Sequence, residues 1–402
     1  MTAQSTNDKL FTSTGSKTPS AQDNATGGAR LQPLVVAKPN HNRRQRSQQD
    51  KGNKKLRPRD APTTGWRSAL TDQLVAIGKP NWAPKPSAEE MRQRRVAYLT
   101  NAVWSLTDST DRFVCAILNR KGGSGKTPLT SYLSCLYAFL TGGEVTFYDG
   151  NPGSGASSQI MAMYSIDGDG VMPEWAQLTP DMPGMYRETV SVLSMRKFLA
   201  QHQDEMVARD LFNLVRQNHY GVSTVVAHQR PKSQEEHFSA TMIRETLVPL
   251  VENSRLTFVD TGNDATSPSQ LEIASTSSVM AFVAAVDKPA SLNDLRQHIG
   301  ILRDHGYGHK VDAATVVLLG IPEGENVDSY RHHAGDHPGP VLGVPEDEQM
   351  MLCRPVMLDR LRQETRDALL EVLVSLLSQN LRSSQTSADS ARNLLTDKEQ
   401  RS

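Results

Sequence analysis

The feature that most constrains the fold of this chain is an unbroken apolar run that leads directly into a glycine-rich turn. The run is Phe113–Leu118, and the turn, Asn119–Pro128, opens a second apolar stretch that predicts a helix over 127–140. A continuous apolar run is typical of a strand that is buried on both faces of a parallel sheet. Glycines let backbone N–H groups converge on an anion, and a helix N-terminus adds positive potential. Strand, turn and helix together therefore predict a phosphate-binding loop.

Strand and helix patterns alternate along most of the remaining chain. Strands are predicted at 145–148, 222–227, 256–260, 279–286 and 313–319, and helices at 235–251, 291–305 and 358–381. This alternation predicts an α/β fold with a doubly wound, mostly parallel sheet. Ligands of such sheets bind beyond the carboxyl ends of the strands, which is where the glycine-rich turn falls.

The chain divides into four segments by composition. Residues 1–60 carry 12 Lys and Arg against 4 Asp and Glu, although the whole chain has 44 of each. Because this segment is polar and nearly free of aromatics, it is predicted to be a disordered basic arm that contacts DNA or anionic lipid, or else a solvated linker. Residues 61–110 hold three tryptophans (Trp66, Trp82, Trp104) and a capping box at Ser87–Glu90, which predict a helical lead-in that docks on the main domain or on a partner. The main domain is expected at 111–382 and a loose polar tail at 383–402.

Several classes of protein are disfavoured. Three widely spaced cysteines (Cys115, Cys135, Cys353) predict neither a disulfide framework nor a zinc site. The first ten residues lack the apolar segment of a secretory signal, and no apolar run is long enough to span a bilayer. We therefore expect a cytoplasmic protein, with association to the nucleoid or to a membrane surface left open.

The glycine-rich turn contains two lysines. Lys126 is predicted to reach the β- and γ-phosphates of a nucleotide, and the Thr127 hydroxyl to ligate Mg²⁺. The ordinary Walker A motif needs glycine six places before this lysine, where the chain has Arg120; instead, Lys121 heads the sequence Lys-Gly-Gly-Ser-Gly-Lys-Thr. This is the deviant Walker A signature, and over residues 113–377 the chain resembles the ParA/MinD family of P-loop ATPases.

The resemblance implies ATP and Mg²⁺ as cofactors and an ATP-sandwich homodimer. In that family the lysine matching Lys121 reaches the phosphates of the partner, where its charge offsets two triphosphates that face each other. Pro128 stands where the family has threonine, and the first turn of a helix tolerates it. The nucleotide-binding candidates are Lys121, Gly122, Gly123, Ser124, Gly125, Lys126, Thr127 and Pro128.

Two further motifs match the switches of the family. Asp149–Ser154 resembles its Asp-x-Asp-Pro motif, but Asn151 replaces the second aspartate, so general-base assistance is lost and hydrolysis should be slow or dependent on a partner. Alternatively, Asn151 caps a turn. Asp149, Asn151, Lys121 and Lys126 are the catalytic candidates. Leu256–Asp260 has the Walker B form, which makes Asp260 a candidate outer-shell ligand of the Mg²⁺ that Thr127 would bind. Asp264 is a second candidate for orienting water.

Other segments bear on the base and on possible surfaces. The absence of Asn-Lys-x-Asp favours ATP over GTP. Leu342–Asp347 matches a loop that contacts adenine in the family, so Pro345 either lines the base pocket or is a plain turn proline, and Arg354–Val356 fits the segment that follows. Arg296, Arg303 and Lys310 are candidates for DNA contact or ordinary solvated surface. The helix over 361–381 lacks a basic polar face, which favours a closing core helix over a membrane-surface helix.

These expectations favour a slowly hydrolysing ATPase that acts in DNA partition or intracellular positioning. Its partners would be a second copy, non-specific DNA and a ParB-like or machine-specific stimulating protein. One alternative is an accessory ATPase of a type VII secretion or conjugation machine, because Gly65–Arg67 and the Asp-x-Asn-Pro switch are similar to actinobacterial MinD-like ATPases. The other is a nucleotide-gated binding module with little turnover, suggested by Asn151.

Overall fold

The structure is a computed structural model, and it describes residues 61–63, 65–76, 85–151, 160, 195–196, 216–218, 220–226, 238–351 and 356–399. The basic arm predicted at 1–60, Trp82, the end of the first switch at 152–154, Cys353 and Arg354 lie outside the described residues. Strands are β1 (Phe113–Leu118), β2 (Val145–Gly150), β3 (Arg216–Gln217), β4 (Ser223–Val225), β5 (Leu256–Thr261), β6 (Val279–Ala285), β7 (Thr315–Ile321) and β8 (Val341–Pro345). Helices are α1 (Gly65–Ala76), α2 (Ala88–Ser109), α3 (Lys126–Thr141), α4 (Ala240–Asn253), α5 (Pro268–Thr276), α6 (Pro289–Leu302), α7 (Gly308–Ala313), α8 (Glu348–Met351) and α9 (Gln363–Glu399).

The described strands form one sheet in the order β3-β4-β2-β5-β1-β6-β7-β8. Every neighbouring pair is parallel except β3 and β4, which are antiparallel. The strand order reverses around β1, because β5 and β2 lie on one side of it and β6 and β7 on the other. This confirms the predicted doubly wound, mostly parallel sheet. It also places the loop after β1 at the switch point, where such sheets bind ligands.

The sheet is covered on both faces, as the continuous apolar strands predict. In β1, Phe113, Cys115 and Ile117 belong to one buried cluster, and the alternate residues Val114, Ala116 and Leu118 belong to a second. Side chains of α3 and α9 fill the first cluster, whereas side chains of α4, α5 and α6 fill the second. A strand with both faces buried cannot shift its register without exposing apolar surface, so the position of the loop that follows β1 is fixed.

The helical lead-in packs on the main domain in this structure. Val103 of α2 is fully buried in the first cluster, and Trp104 donates its indole N–H to the Leu140 carbonyl at 2.8 Å. Arg92 pairs with Asp367 of α9 at 2.9 Å, and Arg95 pairs with Glu371. The apolar side chains of α9, among them Leu369, Leu373 and Leu376, are buried in the first cluster, so the prediction of a closing core helix is confirmed.

Several elements differ from the sequence predictions, and α5 and α7 were not predicted at all. Residues 341–345 form strand β8, where the sequence suggested only a loop. Helix α9 continues to Glu399, although its predicted end was 381 and the tail from 383 was expected to be loose. The helix predicted over 291–305 begins earlier, at Pro289, and a π-type turn follows it at 303–307, where Gly306 adopts a φ of 87°. In the described part of the chain, no helix is long and apolar enough to cross a membrane.

Candidate functional site

The glycine-rich loop joins the carboxyl end of β1 to the first turn of α3. Gly125 caps α3 in the left-handed region with a φ of 92°, and a Cβ at this position would lie 2.3 Å from Leu319 Cδ1. Any other residue would therefore both strain the backbone and collide with β7. Since α3 begins at Lys126, the unpaired N–H groups of its first turn face the loop. The loop thus has the form of an anion cradle at a helix N-terminus.

Asn119 fixes the start of the loop to the adjacent strand. Its buried side chain accepts a hydrogen bond from the Lys121 N–H at 2.9 Å and donates to the Val283 carbonyl of β6 at 2.6 Å. The same amide lies near Ser291 at the start of α6. The hydrogen bonds of this one buried amide therefore connect the loop to β6 and to the start of α6.

Lys126 points into the cradle and is almost completely buried. Its exposed fraction is 5%, and Nζ donates to Asn263 Oδ1 at 2.7 Å and to the Lys121 carbonyl at 3.1 Å. Burial lowers the pKa of Lys126 because an ammonium loses hydration there, although Asp260 partly opposes this shift. Both hydrogen-bond acceptors are neutral, so an anion that entered the cradle would be strongly stabilised.

Thr127 and Asp260 meet at the edge where β1, β2 and β5 end. The Thr127 hydroxyl donates to Asp260 Oδ2 at 2.5 Å, and Asp149 is the register partner of Asp260 on β2. Asp260 Oδ1 is buried and has no hydrogen-bond partner among the described residues. Burial and the neighbouring Asp149 carboxylate raise the pKa of Asp260 above its usual range. An unpartnered carboxylate oxygen beside a hydroxyl and a second carboxylate suits Mg²⁺, which prefers oxygen ligands.

A buried glutamine joins the segments that follow β2 and β5. Gln270, in the first turn of α5, donates from Nε2 to the Gly150 carbonyl at 2.9 Å, and its Oε1 accepts from the Gly262 N–H at 3.0 Å. Asn151 contacts both segments. Its N–H donates to Asp149 Oδ1 at 3.0 Å, and its Oδ1 would be 3.6 Å from a Cβ on Gly262. The segments after β2 and β5 are therefore held at a fixed distance from each other.

Asp264 is engaged in the turn that precedes α5. Its Oδ1 accepts from the Thr266 N–H at 3.0 Å and from the Thr266 hydroxyl at 2.8 Å, which closes the turn before α5. These bonds lower the pKa of Asp264 by favouring the carboxylate. These bonds favour a structural role for Asp264 over the expected role in orienting water, and its neighbour Asn263 is the residue that contacts Lys126.

Three other cations surround the loop. Lys121 is exposed, which leaves its side chain accessible to a second molecule. Arg120, which occupies the glycine position of the ordinary motif, turns away to Gln297 at 2.5 Å and Asp294 at 3.4 Å on α6. Lys288, at the turn between β6 and α6, donates from Nζ to the Gly123 carbonyl at 2.9 Å. Because carbonyl and N–H point in opposite directions in a trans peptide, this contact directs the Ser124 N–H away from Lys288.

A shallow, mainly apolar cleft lies beside the cradle at the carboxyl ends of β7 and β8. Pro128 lines one wall and Pro345 another, so the structure brings these two predicted residues together. Asp347 also lines the cleft, but its two oxygens already accept from the Gln349 and Arg362 N–H groups, each at 2.9 Å. The remaining lining residues are Gly125, Leu319, Gly320, Val344, Met350 and Met351.

The three basic candidates for DNA contact are engaged within the chain. Arg296 donates to the His333 carbonyl at 2.9 Å, and Arg303 pairs with Asp312 at 2.6 Å. Lys310 donates to the carbonyls of Ala274 at 3.2 Å and Ser275 at 2.7 Å, at the end of α5. These contacts favour the interpretation of all three as ordinary structural surface.

The sequence analysis missed four contact-making residues: Asn119, Asn263, Gln270 and Lys288. Asn119 and Asn263 directly adjoin motifs that were recognised, so their position was a usable signal. Gln270 and Lys288 contact residues 120 and 165 positions away, and no local pattern marks such pairs.

No protein-family model matches this chain, and no curated protein matches it. Several solved structures are similar to it. The MinC:MinD cell division complex of Aquifex aeolicus is similar at 15% identity over 66% of this chain and 96% of that chain, with a TM-score of 0.47. A ParA family ATPase of Chlorobium tepidum is similar at 12% identity over 65% and 99%, with a TM-score of 0.47. MinD of Pyrococcus horikoshii, solved with Mg-ADP, is similar at 14% identity over 65% and 94%, with a TM-score of 0.44. The structural neighbours of this chain are therefore MinD and ParA-family ATPases, while the fold assignment itself rests on the strand order and registers given above.

Proposed function

We propose that this chain is a magnesium-dependent P-loop ATPase of the ParA/MinD type. The observation that carries the proposal is the arrangement of Lys126, Thr127 and Asp260 at the switch point of the sheet. A buried ammonium and a hydroxyl–carboxylate pair, placed beneath a glycine-rich helix N-terminus, form a site for a phosphate group and its metal ion. The shallow cleft between Pro128 and Pro345 adjoins this site, and we expect the base to lie against it.

Each residue then has a role that follows from its position. Lys126 and the N–H groups of the loop bind the β- and γ-phosphates. Thr127 and Asp260 hold Mg²⁺, directly or through water, and Asp149 lies beside them. When bound, Mg²⁺ neutralises charge on the phosphates. Asn151 can orient water through its amide but cannot accept a proton, so we expect slow hydrolysis.

The proposal further includes an ATP-dependent homodimer in which Lys121 reaches the partner's phosphates. Its support is that Lys121 is the exposed lysine of the loop, whereas Lys126 is buried. The output would be DNA partition or intracellular positioning, with non-specific DNA bound by the basic segment at 1–60 and with a ParB-like or machine-specific stimulating protein. An accessory role in a secretion or conjugation machine receives less support, because α2 uses Val103 and its arginines to pack on the chain's own domain.

The direct test of the enzymatic proposal is phosphate release from ATP by the full chain, with Mg²⁺ and with EDTA. We expect slow release that requires Mg²⁺ and that GTP supports less well. Release at the same rate in EDTA would contradict the proposed roles of Thr127 and Asp260.

A second prediction concerns the missing carboxylate. Asn151→Asp restores an acceptor for the proton of the attacking water, so kcat should rise on the order of a hundredfold while ATP affinity changes little. Asn151→Ala is the matched control, since it removes the amide without adding a base, and it should lower kcat. Steady-state phosphate release measures both variants. If neither substitution changes kcat, Asn151 does not face the attacking water and serves only the turn.

The second candidate function is a nucleotide-gated binding module with little turnover. Its support is that neither candidate for orienting water is placed to act as a general base. Asn151 carries an amide instead of a carboxylate, and Asp264 Oδ1 accepts two hydrogen bonds from Thr266. This candidate predicts tight ATP binding with no phosphate release by the natural sequence, even when DNA and lysate are added, and measurable release by Asn151→Asp.

A further inference from the structure

Lys288 belongs to none of the motifs recognised in the sequence, yet its side chain contacts the glycine-rich loop. The residue is exposed and lies in the turn between β6 and α6, and its Nζ donates to the Gly123 carbonyl at 2.9 Å. A Cβ on Gly123 would lie 3.5 Å from the same nitrogen. An ammonium group therefore lies against the carbonyl side of the loop at its second glycine.

The backbone of Lys288 is fixed by the start of α6. Its N–H donates to the Ala285 carbonyl at 3.2 Å, and its own carbonyl accepts from the N–H groups of Ser291 at 2.8 Å and Leu292 at 3.4 Å. Pro289 follows as the first residue of the helix, where the fixed φ of proline suits a helical start. The ammonium therefore reaches the loop from a rigid turn.

The loop itself has few features that would fix its backbone. Three of its residues are glycines (Gly122, Gly123 and Gly125), and Gly123 adopts a φ of 72°, in a region that glycine enters and leaves at little cost. Asn119 ties the beginning of the loop to β6 and to the start of α6. Lys288 ties the middle of the loop to the same β6–α6 turn, so the two contacts together hold the glycine segment from one side.

The contact from Lys288 also determines how one peptide group of the loop is turned. Because carbonyl and N–H point in opposite directions in a trans peptide, a Gly123 carbonyl held by Lys288 directs the Ser124 N–H to the other side. An ammonium on the carbonyl polarises the peptide as well, which makes its N–H a stronger donor. Backbone N–H groups of such loops bind phosphate oxygens.

We propose that Lys288 is a positioning residue that holds the Gly123–Ser124 peptide with its N–H turned toward the β-phosphate of the nucleotide. Lys288 acts through the backbone and does not itself touch the phosphates. The proposal rests on the proposed nucleotide site. It predicts that Lys288 contributes equally to the binding of ADP and ATP, since both carry the β-phosphate.

The test compares three substitutions in the full chain. Lys288→Met keeps a long side chain but removes the donor, so the affinities for ADP and for ATP, each with Mg²⁺, should fall by the same factor of about three to ten. Lys288→Arg restores a charged donor and should recover most of both affinities. Lys310→Met is the matched control, because it removes an ammonium that donates to backbone carbonyls at the end of α5, and it should change neither affinity.

Isothermal titration with ADP and with ATP measures each variant. Equal losses in Lys288→Met that Lys288→Arg recovers support the proposal. A loss for ATP alone would show that Lys288 binds the γ-phosphate directly, and this result would overturn the positioning role. Natural affinity in Lys288→Met, or no recovery in Lys288→Arg, would overturn it too, although the nucleotide site would stand. If the natural sequence binds neither nucleotide, the proposed function fails and this inference fails with it.

Discussion

Lys126→Ala should abolish nucleotide binding, with a loss of affinity for ATP and ADP of about a hundredfold or more. The ammonium is buried at the base of the cradle, and its present partners are an amide and a backbone carbonyl. Without it, that buried positive charge would no longer offset the repulsion between the phosphates and the carboxylates of Asp260 and Asp149. Fluorescence titration with a labelled ATP analogue, or calorimetry, measures the loss.

Lys310→Ala is the matched control for this substitution. Lys310 is also partly buried, and it also donates to two backbone carbonyls, but it does so at the end of α5, away from the cradle. This variant should bind ATP as the natural sequence does. Binding of ATP by Lys126→Ala at natural strength would show that the nucleotide, if bound, lies elsewhere.

Lys121→Ala should bind ATP nearly as well as the natural sequence and should form no ATP-induced dimer. Lys121 is exposed at the rim of the loop, so its removal changes the cradle of its own subunit little. In the proposed sandwich it supplies the positive charge between two triphosphates, whereas the neighbouring Arg120 is bonded to α6. Size exclusion with light scattering, with ATP and Mg²⁺, should give twice the 44.2 kDa chain mass for the natural sequence and a single chain mass for the variant.

Arg120→Ala is the control for Lys121→Ala, because Arg120 is the adjacent exposed cation and its side chain bonds to α6. It should still form dimers with ATP. A Lys121→Ala protein that dimerises normally with ATP would contradict the sandwich arrangement and leave only the single-subunit site.

The interior strands were predictable because their environment is uniform. β1, β5 and β6 are buried on both faces; β1 and β6 are continuous apolar runs, and β5 is mainly apolar up to Val259. β8 was missed because Gly343 and Pro345 punctuate it, and because its burial is only partial. The extent of α9 was missed for the related reason that its last turns are polar, so no apolar period marks them.

The candidate site was predictable where its residues lie close together in the chain. Lys121–Pro128 is one contiguous turn, and Asp149 and Asp260 each occupy a strand end that parallel pairing brings to the same edge. The contacts of Asn263 and Gln270 depend on how α5 packs against the ends of β2 and β5. The turn at Thr266 engages Asp264 and leaves Asn263 in contact with Lys126. No periodicity in the sequence indicates which of these two neighbours makes that contact.

The most direct test of the central claim is equilibrium binding of ATP to the purified full chain, with Mg²⁺ and with EDTA. The arrangement of Lys126, Thr127 and Asp260 predicts saturable binding of one ATP per chain that is tighter with Mg²⁺ than without it. A chain that is folded by circular dichroism and yet has no measurable affinity for ATP at any magnesium concentration would contradict the account.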